Sequence, residues 1–309
     1  MKCVFFGTPD FAIAPLKALA EKVDVTLVVT QEDKQKGRGK KLQPTPVKMV
    51  AEELGIEVFQ PKNINDPESI EYLKKQEADL FVVVAYGQIL KQDVLDIPKL
   101  YPINIHGSIL PKYRGAAPIQ HAILEGEETT GISIMKMELG LDSGPVALEK
   151  HLEIGDMDTG ELFEAVSHLG AEGIVEFVSL VEEGKVHFQE QNHEESTYAD
   201  KIHPSMGVLD FYNEEAPVLK RKIQGFSPKP GAKFSVEGST FKVFASEIVE
   251  KTLNPGAFQV EGKKLYIGTK KGALSLLSIQ REGKKRMDIA AFLAGNPLGE
   301  KGFVDRIEG

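Results

Sequence analysis

The sequence predicts an α/β fold: a Rossmann-type, mostly parallel sheet with helices on both faces, followed by a small C-terminal β-barrel of OB-like kind. Three observations predict it. Residues 2–7, 8–20 and 23–30 read in turn as strand, helix and strand, and a βαβ unit of that length implies a parallel sheet. Residues 78–85, Ala-Asp-Leu-Phe-Val-Val-Val-Ala, are almost continuously apolar, as a strand covered on both faces must be. Beyond residue 230, short β-rich runs recur between Gly, Pro and Asn turns, a spacing that suits a small barrel. A chain of 309 residues suits two cores. The boundaries expected are a catalytic domain over 1–189, a polar linker over 190–205 and a second domain over 206–309.

Each element has its own justification. In the first helix Ile13, Leu16, Leu19 and Ala20 fall on one face. The turn before it holds the single glycine Gly7 and not GxGxxG, so the dinucleotide fingerprint is absent. Residues 31–48 then interrupt the pattern with Lys34, Lys36, Arg38, Lys40, Lys41 and Lys48, no acid after Asp33, and Gly37 and Gly39 around Arg38. Such a run is either a solvated loop or a mobile cationic finger for phosphates. Residues 46–54 read as helix and 56–59 as a short strand. Asp66-Pro67-Glu68 marks a helix start, with Asp as cap and Pro in the first position. The strand over 78–85 ends in the loop Tyr86-Gly87-Gln88.

A second strand over 100–105 breaks into the loop His106-Gly107-Ser108-Ile109-Leu110-Pro111. A helix over 116–124, a strand over 130–137, a turn-rich loop around Asp142 and a strand over 146–154 follow. A long amphipathic helix occupies 158–181. After the linker, β-like runs are expected at 232–236, 240–247, 257–260, 264–269 and 273–279.

Composition narrows the function. The net charge of −9 conceals an asymmetry. Residues 1–205 hold 20 Lys and Arg against 34 Asp and Glu, and residues 206–309 hold 17 against 12, so the halves carry −14 and +5. Either the second half meets a polyanion or the composition drifts. The single cysteine, Cys3, excludes an internal disulfide framework and is consistent with a reducing cytoplasm. Pro9 and Asp10 interrupt the first apolar run, and no run reaches membrane-spanning length. A soluble cytoplasmic protein with no membrane partner is expected.

The chemistry available is limited. HExxH, CxxC, the P-loop and GxSxG are all absent. The seven histidines show no metal-ligand spacing, so no metal is expected. What remains is Asn104 and His106, which share one face of a strand end, where open α/β sheets bind ligands. Asp142 is the best carboxylate partner. An amide that donates to an oxyanion, an imidazole held beside a carboxylate and a carboxylate that accepts a proton suit acyl transfer to an amine. Asn-x-His is by itself a weak signal.

Several linked segments carry a resemblance: Phe6-Gly7-Thr8-Pro9, Val84-Ala85-Tyr86-Gly87, Asn104 to Pro111 with Tyr113-Arg114-Gly115, and Leu139-Gly140-Leu141-Asp142. Together they resemble the folate-dependent formyltransferases. Gly37 to Lys41, Pro44 to Lys48 and the basic C-terminal half are similar to the branch that formylates methionine on initiator tRNA. The resemblance implies 10-formyltetrahydrofolate as donor, initiator methionyl-tRNA as acceptor, no metal and a monomer. It implies that Asn104 and His106 stabilise the oxyanion, while Asp142 orients His106 and assists proton removal. Ser108, Ile109, Leu110 and Pro111 would bind folate, and Tyr86, Gly87, Gln88, Ile89 and Leu90 would line the pterin pocket. Lys34, Lys36, Arg38, Lys40 and Lys41 would meet the acceptor end of the tRNA, and the C-terminal barrel its helical arm. Ile109 stands where the family usually has Leu, and Lys229 where Trp is common. The alternatives are a formyltransferase for a sugar nucleotide or glycinamide ribonucleotide, a hydrolase of the same donor, and a tRNA-binding module with a vestigial site. A small acceptor gives little reason for the cationic loop or the basic second half.

Overall fold

The computed structural model describes residues 1–36, 41–295 and 298–306. The chain forms two compact units, one of residues 1–118, 129–153 and 163–200, the other of residues 119–128, 154–162 and 201–309.

In the first unit, β1 (Lys2–Gly7), α1 (Ile13–Lys22) and β2 (Asp24–Val29) open the fold. A hairpin of β3 (Lys34–Lys36) and β4 (Lys41–Gln43) leads to α2 (Pro46–Glu53), β5 (Val58–Phe59) and α3 (Pro67–Lys74). Next come β6 (Leu80–Val84), α4 (Gln92–Leu95), β7 (Tyr101–His106) and β8 (Arg114–Gly115). After α5 (Pro118–Glu125), which from residue 119 on belongs to the second unit, the chain adds β9 (Thr129–Lys136), β10 (Val146–Glu153), α6 (Thr159–Glu182), part of the first unit from residue 163, and β11 (Tyr198–Ala199).

The sheet order is β10-β9-β7-β6-β1-β2-β5. From β7 to β5 the pairings are parallel, whereas β9 runs against β7 and β10 against β9. Strand β6 is buried throughout and lies at the centre, as its apolar run predicts. The chain builds outward from β1 through β2 to β5, then returns to β6 on the other side of β1. That reversal opens a crevice at the carboxyl ends of the strands. One core joins Val4, Phe6, Leu27, Val29, Phe81 and Val83 to Leu73, Val94 and Leu95. Helix α6 carries Gly173 where an added Cβ would lie 2.9 Å from Ile132 Cδ1, so the missing side chain lets helix and sheet approach.

The local readings need three adjustments. A 3-10 turn over Asp10–Ala12 precedes α1, so the helix proper starts later than Pro9 suggests. Asp66 occupies the N-cap of α3, but its side chain makes no capping bond. Its Oδ1 instead accepts from Asn63 Nδ2 at 2.6 Å. The stretch read as a polar linker begins as part of the first unit: β11 pairs in parallel with β8, and Gln191 is buried.

In the second unit, α7 (Ala216–Phe226) precedes β12 (Ala232–Val236), β13 (Ser239–Val249), β14 (Ala257–Glu261), β15 (Lys264–Gly268) and β16 (Ala273–Arg281). β17 (Met287–Asp288), α8 (Ile289–Gly295) and β18 (Lys301–Phe303) follow. The antiparallel path is β12-β13-β16-β15-β14-β18, with β17 added to β16. Just past β18, Asp305 N–H donates to Ser235 O of β12 at 2.8 Å, drawing the two ends together into an OB-like curled sheet. All five expected β runs are present. Helices α7 and α8 were not among the expected elements. In α7 the consecutive cations Lys220, Arg221 and Lys222 mask an inner face of Leu219, Ile223 and Phe226 that packs in one core with Phe234 and Ile279.

Candidate active site

Strand β7 delivers Asn104 and His106 to one face of the sheet. Asn104 stands in register with Val83 of β6 and Met135 of β9, and His106 with Ser133. His106 is buried, with 6% of its surface exposed. Its Nε2 lies 2.9 Å from Tyr113 O. A carbonyl oxygen only accepts, so Nε2 carries a proton and Nδ1 is the nitrogen left to exchange one. Nδ1 faces Asp142 Oδ2 at 3.7 Å. Asn104 is half-buried, and among the described residues its side-chain amide has no hydrogen-bond partner.

Asp142 comes from the loop between β9 and β10 and has φ +46°, in the left-handed region. Such a conformation costs a non-glycine residue about 1–3 kcal/mol unless its surroundings impose it. Here they do. Its Oδ2 accepts from Gly115 N–H at 2.8 Å. Its carbonyl oxygen accepts from Gln191 Nε2 at 2.9 Å, and Gly144 O accepts from the same amide at 2.7 Å. Gln191 Oε1 in turn takes Nη2 and Nε of the buried Arg114, at 2.7 and 3.2 Å. Gly115 has φ +120°, and an added Cβ would meet Ala199 O at 2.8 Å, so both conformation and space call for glycine.

The structure therefore brings Asn104, His106 and Asp142 to one place. It distributes the expected folate-binding residues less evenly. Ser108 is fully buried; its Oγ donates to Lys112 O at 2.7 Å and its carbonyl accepts from Ser133 Oγ at 2.8 Å. Leu110 is buried, and its N–H donates to Ser133 Oγ at 3.0 Å. Ile109 and Pro111 are half-buried. Tyr86 and Leu90, expected to line a pocket, instead pack in the sheet core. Among the described residues the Tyr86 hydroxyl is buried without a partner, and burial raises its pKa. Gln88 spends its side chain on Ile64 N–H and Pro61 O, at 2.9 and 3.2 Å. That leaves Gly87, at φ +96°, and the exposed Ile89 as the residues of this loop turned outward. Leu139 and Leu141, next to Asp142, are also exposed.

The cationic segment is a hairpin. Its register sets Lys34 opposite Gln43 and Lys36 opposite Lys41. Lys34 is exposed, whereas Arg38 and Lys40 lie outside the described residues. Lys48 leaves the cationic set, because its Nζ binds Asp33 Oδ2 at 2.8 Å. Gln60 Nε2 donates to Asp33 Oδ1 at 2.7 Å. Hydrogen bonds from Lys48 and Gln60 hold the Asp33 carboxyl below its ordinary pKa. In the second unit, Lys220, Lys222 and Lys251 are likewise taken up by Asp156, Glu214 and Glu261.

Sequence reasoning passed over Gln191, Arg114 and the Tyr113 carbonyl as parts of the site. Arg114 and Tyr113 stood in a recognised motif without a role, and Gln191 lay in a stretch with no periodicity.

The formyl transferase family profile matches residues 1–178, more than half of the chain. The chain belongs to the formyl transferase family. The profile of the formyl transferase C-terminal domain matches residues 201–297. Among curated members, the methionyl-tRNA formyltransferase of Agathobacter rectalis is 44% identical over 308 residues, covering 98% of this chain and 99% of its own. That of Geobacter sulfurreducens is 40% identical over 314 residues, covering 99% of each. Among solved structures, WlaRD, a sugar 3N-formyl transferase in the presence of dTDP and 5-N-formyl-THF, superposes with a TM-score of 0.67. It is 17% identical and covers 92% of this chain and 99% of its own. HypX from Aquifex aeolicus in complex with tetrahydrofolic acid has a TM-score of 0.64 at 17% identity, covering 100% of this formyl transferase and 51% of its own chain. At such identities the two structures speak for the fold.

Among the described residues no helix is long and apolar enough to cross a membrane, and no three His, Cys, Asp or Glu gather into a metal site.

Proposed function

We propose that this formyl transferase moves the formyl group of 10-formyltetrahydrofolate to the α-amino group of methionine esterified to initiator tRNA, in the cytoplasm and as a monomer. The whole-length likeness to relatives named for that activity, 44% identical across 98% of the chain, carries the reading. The geometry supports it. A free amide and an imidazole–carboxylate pair meet at a strand end, which suits acyl transfer without a covalent enzyme intermediate.

Bound folate supplies an activated formyl carbon. The exposed Ile89, Leu139 and Leu141 and the outward Gly87 would offer apolar contact to the faces of a flat ring system. The Ile109 and Pro111 segment completes the folate-binding set. Attack by the amine places negative charge on the formyl oxygen, and the uncommitted Asn104 amide is the group able to donate to it. His106, with Nε2–H on Tyr113 O and Nδ1 facing Asp142, would assist in stabilising that oxyanion. The Asp142 carboxylate, directly or through a water, would take the proton that the amine releases, and the formyl carbon–N10 bond would then break, with N10 leaving as an N–H amine that takes up one proton. The hairpin would meet the acceptor end of the tRNA through Lys34, Lys36, Arg38, Lys40 and Lys41. The net +5 of residues 206–309 would serve the helical arm.

The direct test incubates the protein with 10-formyltetrahydrofolate and methionyl-tRNA and looks for formylmethionine after deacylation. Parallel incubations offer an amino sugar nucleotide, glycinamide ribonucleotide or no acceptor. Formylmethionine in the first alone supports the proposal. Preferential formylation of a small amine, or release of formate without an acceptor, sinks it.

A further inference from the structure

The Asp142 loop has no regular secondary structure of its own, yet its carboxylate must face His106. What holds it is the chain that arrives 49 residues later. Gln191 is 7% exposed and uses both ends of its amide. The NH2 group donates to Asp142 O and Gly144 O, on either side of Ser143. The oxygen accepts two N–H groups of Arg114, which is 4% exposed. Arg114 also places Nη2 3.0 Å from His193 Nδ1. The next residue, Gly115, gives its N–H to the Asp142 carboxylate. Pairing of β8 with β11, Tyr198 opposite Arg114 and Ala199 opposite Gly115, fixes the two segments in register.

We infer that Gln191 is a positioning residue: oriented by Arg114, it clamps the backbone on both sides of Ser143 and so aims the Asp142 carboxylate at His106 Nδ1. This rests on the reading of Asp142 given above. The chemistry is specific to an amide. Glutamate has nearly the same shape and still accepts from Arg114, but it replaces the donor NH2 by one oxygen set against two carbonyl oxygens. Methionine fills the space and removes every hydrogen bond that the amide makes. Because the clamp acts on the left-handed Asp142, its loss frees the loop to relax away from the imidazole.

The test is a double-mutant cycle on the full chain. Steady-state rates are measured for the wild type, Gln191→Glu, Asp142→Asn and the double variant, with Gln191→Met as a second probe in both backgrounds. Circular dichroism checks that each folds, and conclusions are drawn from whichever Gln191 variant does. The expected result is at least a tenfold fall in kcat for the Gln191 variant, with both KM values within about twofold of wild type. In the Asp142→Asn background the same change should alter the residual rate by less than about twofold. A fall of equal size in both backgrounds would mean that Gln191 acts independently of Asp142 and overturns the inference, as would an unchanged kcat or a loss confined to KM. A near-normal rate for Asp142→Asn alone would instead remove the catalytic reading of Asp142, so the two failures are distinguishable.

Discussion

His106 has one nitrogen already committed, and that commitment divides the labour among its neighbours. With Nε2–H held by Tyr113 O and Nδ1 turned to Asp142, the imidazole in the proposed mechanism supports the oxyanion without being its direct donor. The direct donor is then Asn104. Asn104→Ala should lower kcat by roughly a hundredfold, the magnitude typical of one lost oxyanion donor, while tRNA affinity in a filter-binding assay persists. Retention of near-normal turnover would rule Asn104 out as that donor. Cys3 gives a second prediction at this scale. Its side chain is fully buried in β1, and burial pushes its pKa up to about 12. Only the thiolate reacts readily, so Cys3 should resist a thiol-directed reagent in the native protein at pH 8 and react once the chain is unfolded. Rapid labelling of the native protein, read by mass spectrometry, would contradict this.

Among the elements, the strands were the most legible. Continuous apolar runs marked β1 and β6, and the break after β7 marked the site. The hairpin of β3 and β4 was legible as charge but not as structure, since a run rich in Lys and Gly has no apolar alternation to announce a ladder. Charge counting also overestimated its cations, because the Asp33 partner of Lys48 lies 15 residues away. That pair makes a prediction with a defined sign. The folded-state pKa of Asp33 is lowered from its ordinary 3.8, so its stabilisation is fully present above about pH 4 and is lost as pH falls through the folded pKa. With both side chains about a fifth exposed, Asp33→Asn should cost on the order of 0.5–1 kcal/mol at pH 7. The difference from wild type should shrink below pH 4 and in high salt. A difference that grows on acidification, in urea titrations at several pH values, would refute the assignment. Asp66 shows the opposite limitation. Its position before Pro67 identified the start of α3 correctly, yet its carboxylate found a nearer donor in Asn63.

Across the whole molecule, the charge asymmetry between the two halves acquires a use if the acceptor is a tRNA. Replacing Lys34, Lys36, Arg38, Lys40 and Lys41 by Ala should raise KM for the charged tRNA. The plot of log kcat/KM against log salt should become shallower by about 0.7–0.9 for each phosphate that is no longer neutralised. An unchanged slope would make the hairpin ordinary solvated surface. By itself the sequence determined the strands of the main sheet and the five β runs of the second unit, which side chains could do acyl-transfer chemistry, and which family the motifs resemble. Periodicity, apolar runs and residue type are local properties, and the chain carries them wherever it goes. Only the tertiary structure decided that Tyr86 and Leu90 belong to the core, that His106 Nε2 is occupied, and that residues 190–200 close over the Asp142 loop instead of serving as a linker. The partners of Gln191 lie 49 and 77 residues away. A hydrogen bond across such a distance depends on where the folded sheet brings the backbone, and no period in the sequence encodes it.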